Sequence, residues 1–214
     1  MVRLITVDGP AGVGKGSVCK LLAKCLDAKV LNSGEIFRTI AYYLKKNEVN
    51  FRDIRAVVNS TKKFKYEKIT SNKLYSRDID LISSKISTIP SLRKITIKIQ
   101  RDFVNLNKHN LKTIIAEGRD MGTIIFPKAE VKIFMWARPE IRAKRRMLQI
   151  NKSLKTREYK KILNEITARD MRDMTRKTAP LMPSEDSYLI DNSNLDIEQC
   201  FNRILKVIKK NISK

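Results

Sequence analysis

Apolar residues along the chain follow two alternating rhythms. Continuous short runs predict five strands: "RLITVDG" at residues 3–9, "AKVLNSG" at 28–34, "LKTIIAEGRD" at 111–120, "VKIFMWA" at 131–137 and "SYLID" at 187–191. Strands covered on both faces read as unbroken apolar runs, so these suit a parallel sheet. Between them the apolar spacing is helical. Val18, Leu21, Leu22, Cys25 and Leu26 share one face of a helix that starts near Lys15. Further helices are predicted over residues 35–45 and 197–212, and Pro90 and Pro139 suit the first turns of two more. Strands alternating with helices give a doubly wound α/β fold, a five-stranded parallel sheet flanked by helices. One segment breaks the rhythm. In "TKKFKYEKITSNKLYSRDID", residues 61–80, charged and apolar residues alternate around Ser71–Asn72. That pattern predicts a hairpin, and hence an inserted antiparallel lobe over residues 61–91, with a core of residues 1–60 and 92–214.

The chain's 214 residues suffice for one domain with a real core. Its 42% hydrophobic and 31% charged content is globular. No apolar run approaches the roughly 18 residues of a membrane span, and the N-terminus starts on strand-like residues without a signal pattern. A cytoplasmic location without membrane attachment is the expectation. Cys19, Cys25 and Cys200 are odd in number and lack metal-ligand spacing, so they are read as reduced and structural. Forty-five Lys and Arg against 22 Asp and Glu give a net charge of +23, the footprint of a nucleic-acid binder. The lysines are dispersed, however, and abundant together with Ile and Asn, residues with A/T-rich codons. Polyphosphate substrates would also gather arginines, so charge alone leaves these explanations open.

The first strand runs into "GPAGVGKGS", from Gly9 through Pro10, Ala11, Gly12, Val13, Gly14, Lys15 and Gly16 to Ser17. A glycine-rich turn between strand and helix lets backbone N–H groups approach a polyphosphate, with the helix N-terminus adding positive potential. Lys15 would reach the β and γ phosphates of ATP. The hydroxyl that usually follows this lysine and ligates Mg²⁺ comes one place late, at Ser17. No direct protein ligand to the metal is therefore expected, although Ser17 could act through water or bond a phosphate oxygen. The "GKGS" ending resembles the nucleoside-monophosphate kinases, without separating adenylate, uridylate, guanylate and cytidylate kinases.

Further motifs narrow the acceptor. "NSGEIFR" at 32–38 ends the second strand, at the edge where open α/β sheets bind ligands. "EGRDMGT" at 117–123 ends the third. With "RAKRRMLQ" and "RDMRDMTRKTAPL" these strings resemble the bacterial cytidylate kinases over nearly the whole chain. The resemblance implies a P-loop kinase fold with an enlarged nucleoside-monophosphate-binding lobe. It implies ATP and Mg²⁺ as donor and metal, CMP and dCMP as acceptors, no specific nucleic acid, and a monomer. By resemblance, Ser33 and Arg38 hold the acceptor region and Arg119 approaches phosphate. Asp120 accepts from the cytosine amino group, while Ser84 and Arg93 read the other polar atoms of the base. Asp173 and Arg169 reach the sugar hydroxyls, and Arg169 and Arg176 the phosphates. Independently of the family, Arg169, Asp173 and Arg176 are spaced i, i+4 and i+7, on one helical face.

Arg142, Arg145 and Arg146 likewise share one side of the helix opened by Pro139. Beside a phosphate loop they suggest a lid over ATP at about residues 144–160, with Arg142 and Arg145 as phosphate contacts. Phosphoryl transfer needs in-line placement and charge neutralisation more than covalent chemistry. Lys15, Arg119, Arg169 and Arg176 are the groups expected to supply them. The one histidine, His109, is read as a surface residue. Asn32 and Phe37 stand where cytidylate kinases commonly have Asp and Tyr, and Trp136 and Arg138 replace smaller residues. Altered activity of the same type is expected from these departures. Rival readings are another small-molecule kinase, a nucleic-acid binder, and an inactive P-loop relative.

Overall fold

The computed structural model describes residues 2–64, 72–150 and 157–212. These divide into two compact units, residues 1–31 with 108–214 and residues 32–107.

The first unit holds the sheet. Strands β1 (Arg3–Asp8), β2 (Ala28–Asn32), β3 (Thr113–Gly118), β4 (Val131–Trp136) and β5 (Tyr188–Asp191) stand in the order β2-β3-β1-β4-β5. β1 pairs in parallel with β3 and β4, and β4 with β5. All five predicted strands are present. β1 is central, with Ile5 and Val7 fully buried, and this double coverage is why the segment reads as a continuous apolar run. α1 (Lys15–Leu26) and α8 (Ile197–Ile212) share a core with the sheet. Val18, Cys19 and Leu22 of α1 meet Cys200, Ile204 and Ile208 of α8 over Ile5, Ile115, Ile133 and Met135. α6 (Pro139–Gln149) and α7 (Arg157–Thr175) pack together through Ala143, Met147, Ile162 and Ile166. Pro139 opens α6 as expected. Residues 151–156, between α6 and α7 and within the predicted lid of about residues 144–160, lie outside the described residues.

The parallel register aligns the carboxyl ends of the central strands. Asp8 stands opposite Gly118 on one side and Phe134 on the other. One edge of the sheet therefore collects the residues that follow β1, β3, β4 and β5.

The second unit is helical among its described residues: α2 (Ser33–Lys46), α3 (Ile54–Lys62), a short 3₁₀ turn (Asn72–Tyr75), α4 (Arg77–Ile86) and α5 (Pro90–Asn107). The hairpin expectation is corrected here. Its first arm and Ser71 fall largely on residues 65–71, outside the described residues, but its second arm is the 3₁₀ turn and the start of α4. Local capping outweighs the alternation. Ser76 Oγ accepts from Ile79 N at 3.4 Å, and Asp78 and Asp80 lie in the first turn, where acidic side chains favour a helix N-terminus. The unit is also broader than the predicted lobe of residues 61–91, because α2 is tied to α4 by side-chain ion pairs. Arg38 Nη2 lies 2.6 Å from Asp80 Oδ1, and Lys45 Nζ 3.0 Å from Asp78 Oδ2.

Candidate active site

The loop between β1 and α1 has the geometry of an anion cradle. Gly9 has φ +147° and packs so closely against the Met135 carbonyl that any Cβ would collide with it. Gly14, at the N-cap of α1, has φ +97°, in the left-handed region that favours glycine. The loop carbonyls are engaged by protein donors. Lys15 Nζ donates to Gly9 O at 2.8 Å and Pro10 O at 2.9 Å, Arg142 Nη1 to Ala11 O at 3.0 Å, and Asn192 Nδ2 to Val13 O at 2.8 Å. Carbonyls fixed in this way suit the loop's N–H groups and the α1 dipole to an anion.

The ammonium of Lys15 is buried; burial first, and then the nearby Arg119 charge, lower its pKa from 10.5 to about 7, against the opposing pull of Glu117, Asp8 and Cys19. Burial likewise raises Asp8 to about 7, opposed by hydrogen bonds from the Gly122 and Met121 amides. These donate to the two Asp8 carboxylate oxygens at 2.8 and 2.9 Å. Asp8 thus pins the turn that follows "EGRD" to the end of β1. Sequence reasoning missed it, although a carboxylate at the carboxyl end of a buried strand was visible in "TVDG".

Four predicted residues come together in this unit. Arg119 Nε donates to Asp173 Oδ2 at 3.2 Å. Arg176 lies 3.7 Å from both Asp120 Oδ1 and Asp173 Oδ1. Arg169 stands one helical turn before Asp173 on α7, and Arg176 directly follows the helix. Asp120, with only 2% of its surface exposed, stands at the N-cap position of the π-helical turn Met121–Ile125. Both carboxylates are thus buried against guanidinium groups.

The lid arginines are placed differently from expectation. Arg142 is fully buried behind the loop. Its Nε donates to Ala137 O at 2.8 Å, its Nη2 lies 2.6 Å from Asp170 Oδ2, and its guanidinium sits 5.8 Å from the Trp136 ring centre. Its neighbours are loop backbone and α7, so it lies against the phosphate loop itself, at Ala11. Arg145 donates to Asn192 O at 2.7 Å and Leu195 O at 3.1 Å. Arg146 is directed to Gln149 of its own helix.

In the second unit, Asn32 caps α2 by accepting from Glu35 N at 3.0 Å, and Ser33 is the buried first residue of the helix. The departure at Asn32 therefore keeps the capping function, for which Asn and Asp are equivalent. Arg38 stands 5.4 Å from the Tyr75 ring centre as well as against Asp80. Buried Arg93 donates to Ser87 O at 3.0 Å and lies 5.8 Å from the centre of Phe37, so the ring packs where a hydroxyl is lost. Ser84 is near the same turn, its carbonyl accepting from Ser87 Oγ at 2.9 Å. Arg138 stands at the N-cap position before α6, its amide donating to Ser193 Oγ at 3.0 Å.

The residues near the loop fit a magnesium ion that arrives with ATP. Ser17 is exposed at the start of α1, and both carboxylate oxygens of Glu117 lie within 3.8 Å of where a Cβ at Gly16 would stand. Magnesium retains several waters and takes few protein oxygens beside phosphates, so two such groups suffice. Among the described residues no group of three or more His, Cys, Asp or Glu could enclose a metal. Cys19, Cys25 and Cys200 are free thiols, with Cys19 and Cys200 in the core and Cys25 exposed. His109 is exposed as expected. No helix among the described residues is long and apolar enough to cross a membrane.

A glycine-rich phosphate loop on the central strand of a five-stranded parallel sheet, with a buried lysine at its end, defines the class of P-loop kinases. TT1252 from Thermus thermophilus shares this fold at a TM-score of 0.55 and 16% identity, over 98% of this chain and 97% of that one. An uncharacterised protein from Eubacterium ventriosum gives 0.52 and 16%, over 98% and 99%. The cytidylate kinase family model matches residues 5–210. The cytidylate kinase of Mycoplasmopsis synoviae is 35% identical over 96% of this chain and 97% of its own length; that of Thermosipho melanesiensis is 36% identical over 96% of each. The chain belongs to the cytidylate kinase family.

Proposed function

We propose that this protein transfers the γ-phosphoryl group of Mg-ATP to CMP and dCMP, giving ADP and the corresponding diphosphate, as a cytoplasmic monomer without a nucleic-acid role. The observation that carries the reading is the cluster of Arg119, Asp120, Asp173 and Arg176 in the same unit as the loop lysine, with Arg119 close enough to depress the Lys15 pKa.

Residues 9–17 bind the donor triphosphate. Lys15 leaves its loop carbonyls for the β and γ phosphates, where an anion restores its charged form. Magnesium, held by phosphates with Ser17 and Glu117 through water, would neutralise part of the phosphate charge. Arg119, Arg169 and Arg176 offset the charge spread over the transferred group and align the acceptor phosphate. Arg145 stays near the donor side of the loop. Within the second unit, Ser33 and Arg38 take the acceptor phosphate region and Ser84 and Arg93 the base. Asp173 and Arg169 take the sugar hydroxyls. No protein nucleophile is required.

Asp120 confers base choice. Cytosine offers an amino donor beside acceptors at N3 and O2, which a carboxylate, a hydroxyl and a guanidinium complement. Uracil would set a carbonyl against the carboxylate, and each unpaired buried group costs about 1–3 kcal/mol. Asp120→Ala should raise the KM for CMP by about ten- to a hundredfold at that cost, with the KM for ATP little changed. Initial-rate titration of each substrate tests this, and equal losses for both would refute the assignment.

A further inference from the structure

The buried guanidinium of Arg142 joins three parts of the first unit. It donates to Ala137 O after β4, to Ala11 O in the phosphate loop, and faces Asp170 of α7 at 2.6 Å. Asp170 is itself buried. On the next turn of the same helix Asp173 accepts from Arg119, and Arg176 follows within 3.7 Å of Asp120. One helix thus reaches the donor loop indirectly, through Asp170 and Arg142, and the acceptor cluster directly, through Asp173. Burying this ion pair carries a desolvation cost that apolar side chains of similar volume would avoid, so it is poorly explained as a means of stability. What a fixed, forked guanidinium adds over apolar packing is direction.

We propose that Arg142 and Asp170 are positioning residues for phosphoryl transfer: their ion pair sets the placement of the phosphate loop, at Ala11, relative to the arginines and carboxylates carried by α7. Neither residue touches a substrate. Both act on in-line alignment, to which transfer rates are steeply sensitive while ground-state binding is not. The proposal rests on the assignment of Asp173 and Arg176 to the acceptor.

Two variants test it in the full chain. Arg142→Lys keeps a buried cation for Asp170 but cannot span Ala137, Ala11 and Asp170 at once. The double variant R142M/D170L replaces the pair by apolar groups, a change that commonly preserves or raises stability. Both should melt cooperatively and bind ATP and CMP with KM values within about threefold of the parent, while kcat falls at least about tenfold, as expected of a misaligned reacting pair. A merely structural pair would give a folded R142M/D170L with parental kcat, and that result overturns the proposal. So does R142K with kcat within about twofold of the parent, whatever the stability of the double variant. Asp173→Asn measured alongside separates the two readings. If it leaves the KM for CMP unchanged, the acceptor assignment fails; if it raises that KM while R142K leaves kcat intact, only the positioning role fails.

Discussion

At the scale of single residues, Lys15 and Asp8 give the site an unusual response to pH. The unfolded lysine titrates near 10.5, while the folded one is lowered to about 7, so between these values the folded protein holds fewer protons than the unfolded chain. Stability from this group therefore rises with pH from about 7 towards 10. Asp8 works in the opposite sense. It is raised from 3.8 to about 7, so over that interval the folded protein holds a proton that the unfolded chain loses, and stability falls as pH rises. The two limbs meet near neutrality. In thermal melts at a series of pH values, Lys15→Met should raise Tm relative to the parent on the order of 5 °C at pH 6, with the gain vanishing near pH 10. A constant difference across that range would contradict the buried-charge account. The place of Lys15 at the start of α1 was legible in "GKGS", but its burial was not, because that depends on the turn after β3 and the return of β4. Asp120 and Arg119 were legible for the same reason as Lys15, a compact motif at a strand end. The burial of Arg142 against the loop was not legible, because helical spacing says which side chains share a face and not what that face meets.

At the scale of elements, the sheet and its flanking helices could be read from the sequence, while part of the inserted region could not. Continuous apolar runs identify covered parallel strands with little ambiguity, and α8 shows its amphipathic face over sixteen residues. The segment "KLYSRDID" carries two competing signals. Its alternation suggests a strand, yet serine followed by two acidic residues is a helix start, and contacts from α2 favour the helix. Both acidic residues serve twice, as first-turn carboxylates and as partners for Arg38 and Lys45. Ser76→Ala should therefore destabilise the protein by about 1 kcal/mol, the usual worth of an N-cap, with Tm the readout. An unchanged Tm would show that the ion pairs alone fix the start of α4. Asn32 illustrates the converse. It departs from the residue common in the family, yet its amide oxygen supplies the same cap to α2.

At the scale of the whole molecule, each unit carries part of the chemistry assigned to it. The first contains the donor loop and the cluster built on Arg119, Asp120, Asp173 and Arg176; the second contains the polar groups assigned to the acceptor base and phosphate. Arginines contribute to the net charge of +23 at both sets of positions. The lysines are spread along the chain. Membership of the cytidylate kinase family, at 35% identity over nearly the full chain, agrees with a fold whose donor end and acceptor cluster were separately visible as short motifs. The central claim is that this site phosphorylates a cytosine nucleotide in preference to others. A coupled ADP-release assay with Mg-ATP and CMP, dCMP, UMP or AMP tests it most directly. The account predicts kcat/KM for CMP and dCMP at least about a hundredfold above UMP and AMP, the discrimination that paired buried polar groups support. Equal rates with CMP, UMP and AMP would contradict it.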